Sequence, residues 1–324
     1  MFKRRALLAV PALAPLAAPA LAQAEWPNKP VRVLIGFAAG GIMDGLTRLA
    51  CDQLSRRLGQ AFVVEARSGA GGSIGAEALA RSAADGYTIS TVAMNTAIIN
   101  KMVMPSVPFD VWKDFSFITS MWDLPNALVV PAQHVPARNA ADFVTWARAR
   151  PNGIAFGSPG IGTTVHLMGT YFCNQTGIDG QHVPFRGGAP LVTAMLTNDV
   201  QMALDNLGTY TGMIEQGSIR PLAIAMAERW PTLPDVPTMA EAGFPNFDRS
   251  PWHFWAGPAG MPAEIVDRIS REVRDIFQDP ALQQRAIQIG ARLRSSTPAE
   301  LEARLRSEEP IWQEMVRISG ASAG

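Results

Sequence analysis

The sequence predicts an α/β fold built as two lobes, each a mainly parallel sheet flanked by helices, with a cleft between them. Three observations carry that expectation. Residues 31–92 alternate strand-like and helix-like patterns in the order β-α-β-α-β, the signature of a parallel, doubly wound sheet. The alternation restarts near Leu128. The chain has 324 residues, enough for two such units and a helical tail.

The elements follow in order. Val31–Ile35 is a continuous apolar run and reads as a buried strand. After Gly40-Gly41, the residues Ile42, Leu46, Leu49, Leu54 and Leu58 mark one face of a helix that Gly59 ends. Residues 61–65 form a second strand, and a glycine loop leads to a helix over about 73–82. Asp85-Gly86 turns the chain into a strand over 87–92. In the second half, strands are predicted at 128–130, 154–156, 182–185, 200–204 and 222–225. Helices are predicted from the N-cap Asn139 to before Pro151, over 163–175 and over 188–197. One more strand, 253–256, precedes charged surface helices that begin near Pro262, Pro280 and Pro298.

The first residues stand apart. Lys3, Arg4 and Arg5 precede an apolar stretch, and small residues at Ala20, Ala22 and Ala24 offer cleavage sites. This reads as a secretory signal peptide over residues 1–24, cut after Ala22 or Ala24, which places the mature chain in the periplasm. Removal takes away three basic residues and no acidic ones, leaving 25 basic against 28 acidic. No basic tract points to nucleic acid. An oxidising compartment would allow a disulfide between Cys51 and Cys173, but both fall in predicted helices of different lobes and lack metal-site spacing, so two buried free thiols are the expectation. No cofactor motif is complete. In the loop Ser68–Ser73, Gly69 and Gly71 are spaced as in a dinucleotide fingerprint, but Ile74 occupies the third glycine position.

In parallel sheets, ligands bind where the C-terminal ends of strands meet helix N-termini, and free N–H groups there favour anions. Two loops fit. The first holds Phe37, Ala39, Gly40, Gly41, Ile42, Met43 and Asp44; the second holds Ser158, Gly160, Gly162, Thr163 and Thr164. His166 lies in the first turns of the following helix and reads as structural or as a ligand contact. Arg186 follows a strand and could pair with a ligand carboxylate. Asp205 ends a strand and could accept from a ligand or cap a turn. Gly71-Gly72-Ser73-Ile74-Gly75 matches a hydrolase nucleophile motif, but seven residues separate Glu65 from Ser73, where that motif needs a sharp turn straight after a strand.

At these loops the chain resembles a known family. The resemblance rests on Trp26–Val31, Gly40-Gly41 with Asp44, Val64–Gly72 and Asp85–Thr88. It continues through Lys113-Asp114-Phe115, Gly160-Ile161-Gly162 with His166-Leu167, His182–Pro190, Leu233–Gly243 and Ala256–Pro262. Order and spacing together resemble the Bug family, the TctC-like solute-binding proteins of tripartite tricarboxylate transporters.

The resemblance implies a hinged periplasmic-binding-protein fold of type II-like architecture. It implies that the chain returns, so that 25–125 and 251–324 form domain 1 and 126–250 domain 2. It implies a binding protein rather than an enzyme, with a small carboxylate as ligand and membrane permease subunits as partners; a monomer is expected. A ligand-sensing role with a signalling partner is the alternative, and a hydrolase using Ser73 a remoter one. In such proteins the first loop holds the carboxylate and the second closes over it, with positions matching Asn95, His166 and Asp205 near the cleft. This chain departs from the family at Gly36 and Ala38, where prolines are usual. It has Ala66 within Glu65-Ala66-Arg67 where the family has asparagine. Met43 stands where a hydroxyl residue usually precedes the aspartate. A flexible apolar side chain thus replaces a hydroxyl donor, which predicts a less polar ligand than citrate or aspartate, an aromatic or branched carboxylate.

Overall fold

The computed structural model describes residues 26–322; the predicted signal peptide lies outside them. β1 (Val31–Ile35) leads through the first glycine turn into α1 (Ile42–Leu58), and β2 (Phe62–Ala66) through the second into α2 (Ser73–Ala80). β3 (Thr88–Ala93) runs into a π-type turn, Asn95–Ile99, that continues as α3 (Asn100–Val103). α4 (Val111–Asp114) precedes β4 (Phe115–Asp123). The chain then forms β5 (Asn126–Pro131), α5 (Ala140–Arg148), β6 (Ile154–Ser158), α6 (Thr164–Thr176), β7 (Gly180–Pro184) and α7 (Gly188–Leu196). β8 (Ala203–Asn206), α8 (Thr211–Glu215) and β9 (Ile219–Ile224) complete this half. β10 (Trp252–Pro258), α9 (Ala263–Ile276), α10 (Pro280–Ile289), β11 (Arg292–Leu293) and α11 (Pro298–Ser319) follow.

The strands sort into two bodies. One sheet has the order β11-β4-β10-β3-β1-β2. The other has β8-β5-β9, extended by the β6-β7 pair. Gly157 N–H donates to Met202 O at 3.0 Å and Gln201 N–H to Ala155 O at 2.9 Å, which stitches β6 to the segment entering β8. The fold is the two-lobed α/β architecture of type II-like periplasmic binding proteins. The sheets are mixed rather than mainly parallel. β1 pairs with β2 and β3 in parallel, and β6 with β7, but β10 runs antiparallel to β3 and β4, and β5 antiparallel to β8 and β9. The returning strand β10 inserts between β3 and β4, which no local pattern announces.

Sequence patterning accounts for most boundaries. Gly59 ends α1 in the left-handed region at φ 69°. Asn139 Oδ1 accepts from Asp142 N–H at 2.8 Å and starts α5. Thr297 and Glu300 form a capping box at α11. In α9, Ile265, Val266, Ile269, Val273 and Ile276 form one buried stripe. Each such side chain contributes about 1.5–3 kcal/mol by burial. β4 escaped the sequence reading. It is largely buried on both faces, and its pairing with β10 shifts register twice, so no clean two-residue alternation survives. β8 lies a few residues later than expected because Gln201 and Met202 pair with β6 instead.

The bodies are joined by two crossings that run side by side. Leu124 N–H donates to Pro251 O at 2.8 Å, and Ser250 Oγ to Ala225 O at 2.6 Å. Asn126, fully buried at this point, has an amide with no hydrogen-bond partner among the described residues. Asp123 ends β4 here and receives Arg294 and Arg304, both at 2.9 Å. Arg304 also pairs with Glu308, whose other oxygen accepts from Trp252 and Trp312 indole N–H groups at 2.9 and 3.2 Å. α11 thus braces both crossings. Its later half, past Pro310, contributes Trp312 and Met315 to a core shared with Phe172 of α6. Cys51 on α1 and Cys173 on α6 are buried free thiols. Burial pushes the Cys51 thiol well above its usual value and the Cys173 thiol up to about 12.

Candidate functional site

The C-terminal ends of β1, β2 and β3 bring three segments together. Gly36 leaves β1 with its backbone against the start of α2. A Cβ on Gly36 would sit 2.8 Å from Gly72 Cα, and one on Gly75 2.8 Å from Gly36 Cα. Only glycines allow this approach, so the family's proline is excluded at Gly36 by its neighbour. Phe37 rests over Gly72 and stays 36% exposed. Thr96 Oγ1 donates to Gly71 O at 2.8 Å and Asn100 Nδ2 to the same oxygen at 3.0 Å. Asn95 opens the π-type turn above this loop and is half-buried.

The first loop ends in an uncapped helix. Gly41 is the N-cap of α1 and offers no side chain, so Ile42 and Met43 present backbone N–H groups without a side-chain acceptor. Asp44 serves the loop itself. Gly40 N–H donates to its Oδ2 at 3.0 Å, and Arg48 Nε lies 2.9 Å from Oδ1. The Arg48 hydrogen bond holds the Asp44 carboxyl below its usual range. The Met43 side chain is not at the site. It is 5% exposed and packs in the core with Ile35 and Leu46. The second residue of a helix can turn its side chain under the sheet while its N–H faces outward. The ligand inference drawn from the Met43 side chain therefore fails.

Ser73 also lies elsewhere than a nucleophile would. It is buried, accepts from Asn100 Nδ2 at 2.9 Å, and follows a 3-10 turn rather than a strand. The described histidines make their contacts with other groups: His166 stacks on His182, His253 on Trp122, and His134 is exposed.

In the second body, β6 delivers the loop 158–163 to the N-terminus of α6. Thr163 is the N-cap; its hydroxyl accepts from His166 N–H at 3.3 Å and donates to Gly160 O at 2.8 Å. Thr164 is the buried first residue of α6. Ser158 is fully buried and donates to Gly160 O at 2.9 Å. His182 Nε2 lies 2.7 Å from the Ser158 hydroxyl. His166 Nδ1 accepts from Gly162 N–H at 3.1 Å, which assigns its own proton to Nε2. The two imidazoles stack with centroids 3.7 Å apart and planes 13° apart. Burial lowers both to about 4, so both are neutral near pH 7. His166 thus braces the loop through Nδ1 and leaves Nε2–H as a neutral donor. His182 was legible only as a strand residue; nothing in its spacing announces the stack.

The two loops share a boundary. Gly162 adopts φ 73°, and a Cβ there would lie 2.9 Å from Val103 Cγ2 on α3. The same α3 begins at Asn100, which holds the 70–73 segment beneath Phe37. Arg186 is exposed beyond β7. Asp205 is not brought to this boundary as an acceptor. It is buried, and its oxygens already accept from Asn206 N–H at 2.6 Å and Tyr210 Oη–H at 2.9 Å. Burial raises it to about 6. It caps a turn, the second of the roles open to it. Among the described residues no group of three or more His, Cys, Asp or Glu could hold a metal ion. No described helix is long and apolar enough to cross a membrane.

Comparison with known proteins identifies the family. The Tripartite tricarboxylate transporter family receptor profile matches residues 46–294. Protein BugT of Bordetella pertussis is 32% identical over 312 residues, covering 96% of this chain and 95% of BugT. The solved structure of R. palustris Rpa4515 with adipate is 32% identical, with a TM-score of 0.81, covering 92% of this chain and 99% of that one. MatC from Rhodopseudomonas palustris, solved with bound malate, is 26% identical with a TM-score of 0.75, covering 90% of this chain and 100% of MatC. The chain belongs to the TctC (Bug) family of solute-binding receptors.

Proposed function

We propose that the chain is a periplasmic receptor that captures a small carboxylate in the cleft between its two bodies by closing on it. The observation that carries this reading is the uncapped start of α1 at Gly41, in the loop whose Phe37 lies on Gly72, while α3 meets both the 71–73 segment and Gly162 of the second glycine loop. A carboxylate needs several N–H donors, and a helix N-terminus supplies them with a favourable dipole. The donors on the first side are backbone groups at Gly41, Ile42 and Met43. On the second side Gly160 and Gly162 spend their N–H groups on Ser158 and His166. That loop therefore contributes shape and the His166 Nε2–H. Arg186, exposed after β7, is the side chain we assign to a second carboxylate. The adipate and malate held by the relatives support the ligand class.

The division we propose puts 25–125 and 251–324 in one domain and 126–250 in the other, which follows the sheet membership of the strands. Closure moves these about the crossings at residues 124–126 and 250–252. The receptor acts as a monomer and hands its ligand to membrane permease subunits. It needs no catalytic residue, since its family is one of binding proteins. The leader over residues 1–24 directs export.

Thermal unfolding of residues 25–324 against amino acids, di- and tricarboxylates and aliphatic and aromatic acids tests the reading. A ligand at about 100 times its Kd adds about 2.7 kcal/mol, a shift of a few degrees. No response to any acid would refute carboxylate capture.

A further inference from the structure

Six large hydrophobic side chains are exposed among the described residues, and three of them, Phe37, Ile74 and Ile161, lie on or beside the glycine loops. Solvent-exposed apolar groups gathered at a cleft mark a surface that awaits an apolar partner. Ile74 is partly spent, because its Cδ1 lies against Gly69. Ile74, though 48% exposed, sits on the other glycine loop; Phe37 and Ile161, at 36% and 47% exposed, belong to the two loops at issue.

These two side chains belong to one boundary. Phe37 rests on Gly72; Asn100 of α3 holds Gly71 and Ser73; Val103 of the same helix meets Gly162, next to Ile161. The polar side chains of both loops are turned to bracing. Asp44 binds Gly40 and Arg48, Ser158 binds Gly160 and His182, and Thr163 caps α6. Arg48, on α1 beside the first loop, is neutralised by Asp44 at 2.9 Å, and Arg67 after β2 by Glu65 at 2.6 Å. The first loop's exposed remainder is Phe37, Ala38, Ala39 and two glycines.

We propose that the ligand is a carboxylate with an apolar body, and that Phe37 and Ile161, facing one boundary from the two loops, select that body. The proposal rests on the carboxylate reading above. One carboxylate lies on the N–H groups at the start of α1. The hydrocarbon beyond it lies between the Phe37 ring and the Ile161 side chain. Hydroxyl groups near the carboxylate would lose their water without gaining partners, which penalises malate and citrate. Each methylene seated in an apolar pocket is worth roughly tenfold in affinity.

Calorimetric titration of the mature protein with hexanoate, adipate and benzoate, against malate and citrate, tests this. The first group should bind about tenfold or more tightly than the second. Ile161→Ser, at an exposed position that folding does not need, should lower the hexanoate-to-malate affinity ratio several-fold, and Phe37→Ala should do the same. Adipate tighter than hexanoate would support the proposal and add Arg186 as the seat of the second carboxylate, a role that Arg186→Ala would abolish. Malate or citrate binding as tightly as the apolar acids would overturn the proposal and leave carboxylate capture standing. An unchanged ratio in both variants would overturn it too. Binding of no acid would end both readings.

Discussion

His166 and His182 are the residues whose chemistry depends most on their surroundings. Burial takes each from 6.5 to about 4, and takes His253 to about 3. Between those values and 6.5 the unfolded chain binds more protons than the folded one. Stability is therefore full above about pH 6.5 and is lost as the pH falls toward 4. Asp205 works the other way. Its folded value is raised from 3.8 to about 6, so its contribution grows as the pH falls through that window. Asp205→Asn should then steepen the acid loss, read as urea midpoints at pH 7 and pH 4.5. A shallower loss would mean that Asp205 is ionised at little cost where it stands. Met43 gives a second prediction at this scale. Met43→Thr trims a core side chain and buries a hydroxyl, which should cost about 2 kcal/mol or more in unfolding free energy. The ranking of ligands should stay as it is, since the Met43 side chain is buried in the core.

Among the elements, the glycine loops differ in what they demand. Gly40 has φ 83° with nothing near its missing Cβ, so Gly40→Ala should cost only the backbone strain, about 1–2 kcal/mol. Gly36 has no such φ but lies on backbone atoms of Gly72 that cannot give way. Gly36→Ala must separate α2 from β1 and should be the more damaging in denaturant midpoint and in ligand affinity. Equal costs would show that the β1–α2 approach relaxes freely. The sequence placed Gly40 in the first loop, showed Gly36 only as a departure from the family's proline, and could not rank the two. Positive φ and close approach look alike in a one-letter string; they separate only when the neighbour is known. The same holds for α1, whose ends at Ile42 and Leu58 were legible from periodicity and Gly59. The inward turn of Met43 was not, because the first turn of a helix does not declare its face.

Over the whole molecule, the two bodies and their order were readable, and the joints were not. Strand–helix alternation gave β1 to β3 and β5 to β9. The place of β10 between β3 and β4 is a contact across more than 120 residues of chain, which periodicity does not encode. The crossings carry the polar cluster of Asp123, Arg294, Arg304 and Glu308. Arg304→Met leaves Asp123 with one partner and Glu308 with only indole donors. It should cost roughly 3 kcal/mol of stability. Because α11 braces both crossings, ligand affinity should change with it, and a stability loss with unaltered affinity would show that closure does not involve this cluster.

The two cysteines bear on how such motions could be watched. Cys51 and Cys173 are both buried, with thiols held protonated at neutral pH. A thiol in that state scarcely reacts with maleimides, since the thiolate is the nucleophile. A single cysteine introduced at an exposed surface position would therefore take a fluorescent dye alone, with no need to remove the native pair. The folded receptor is in this sense already prepared as a reporter of its own ligand.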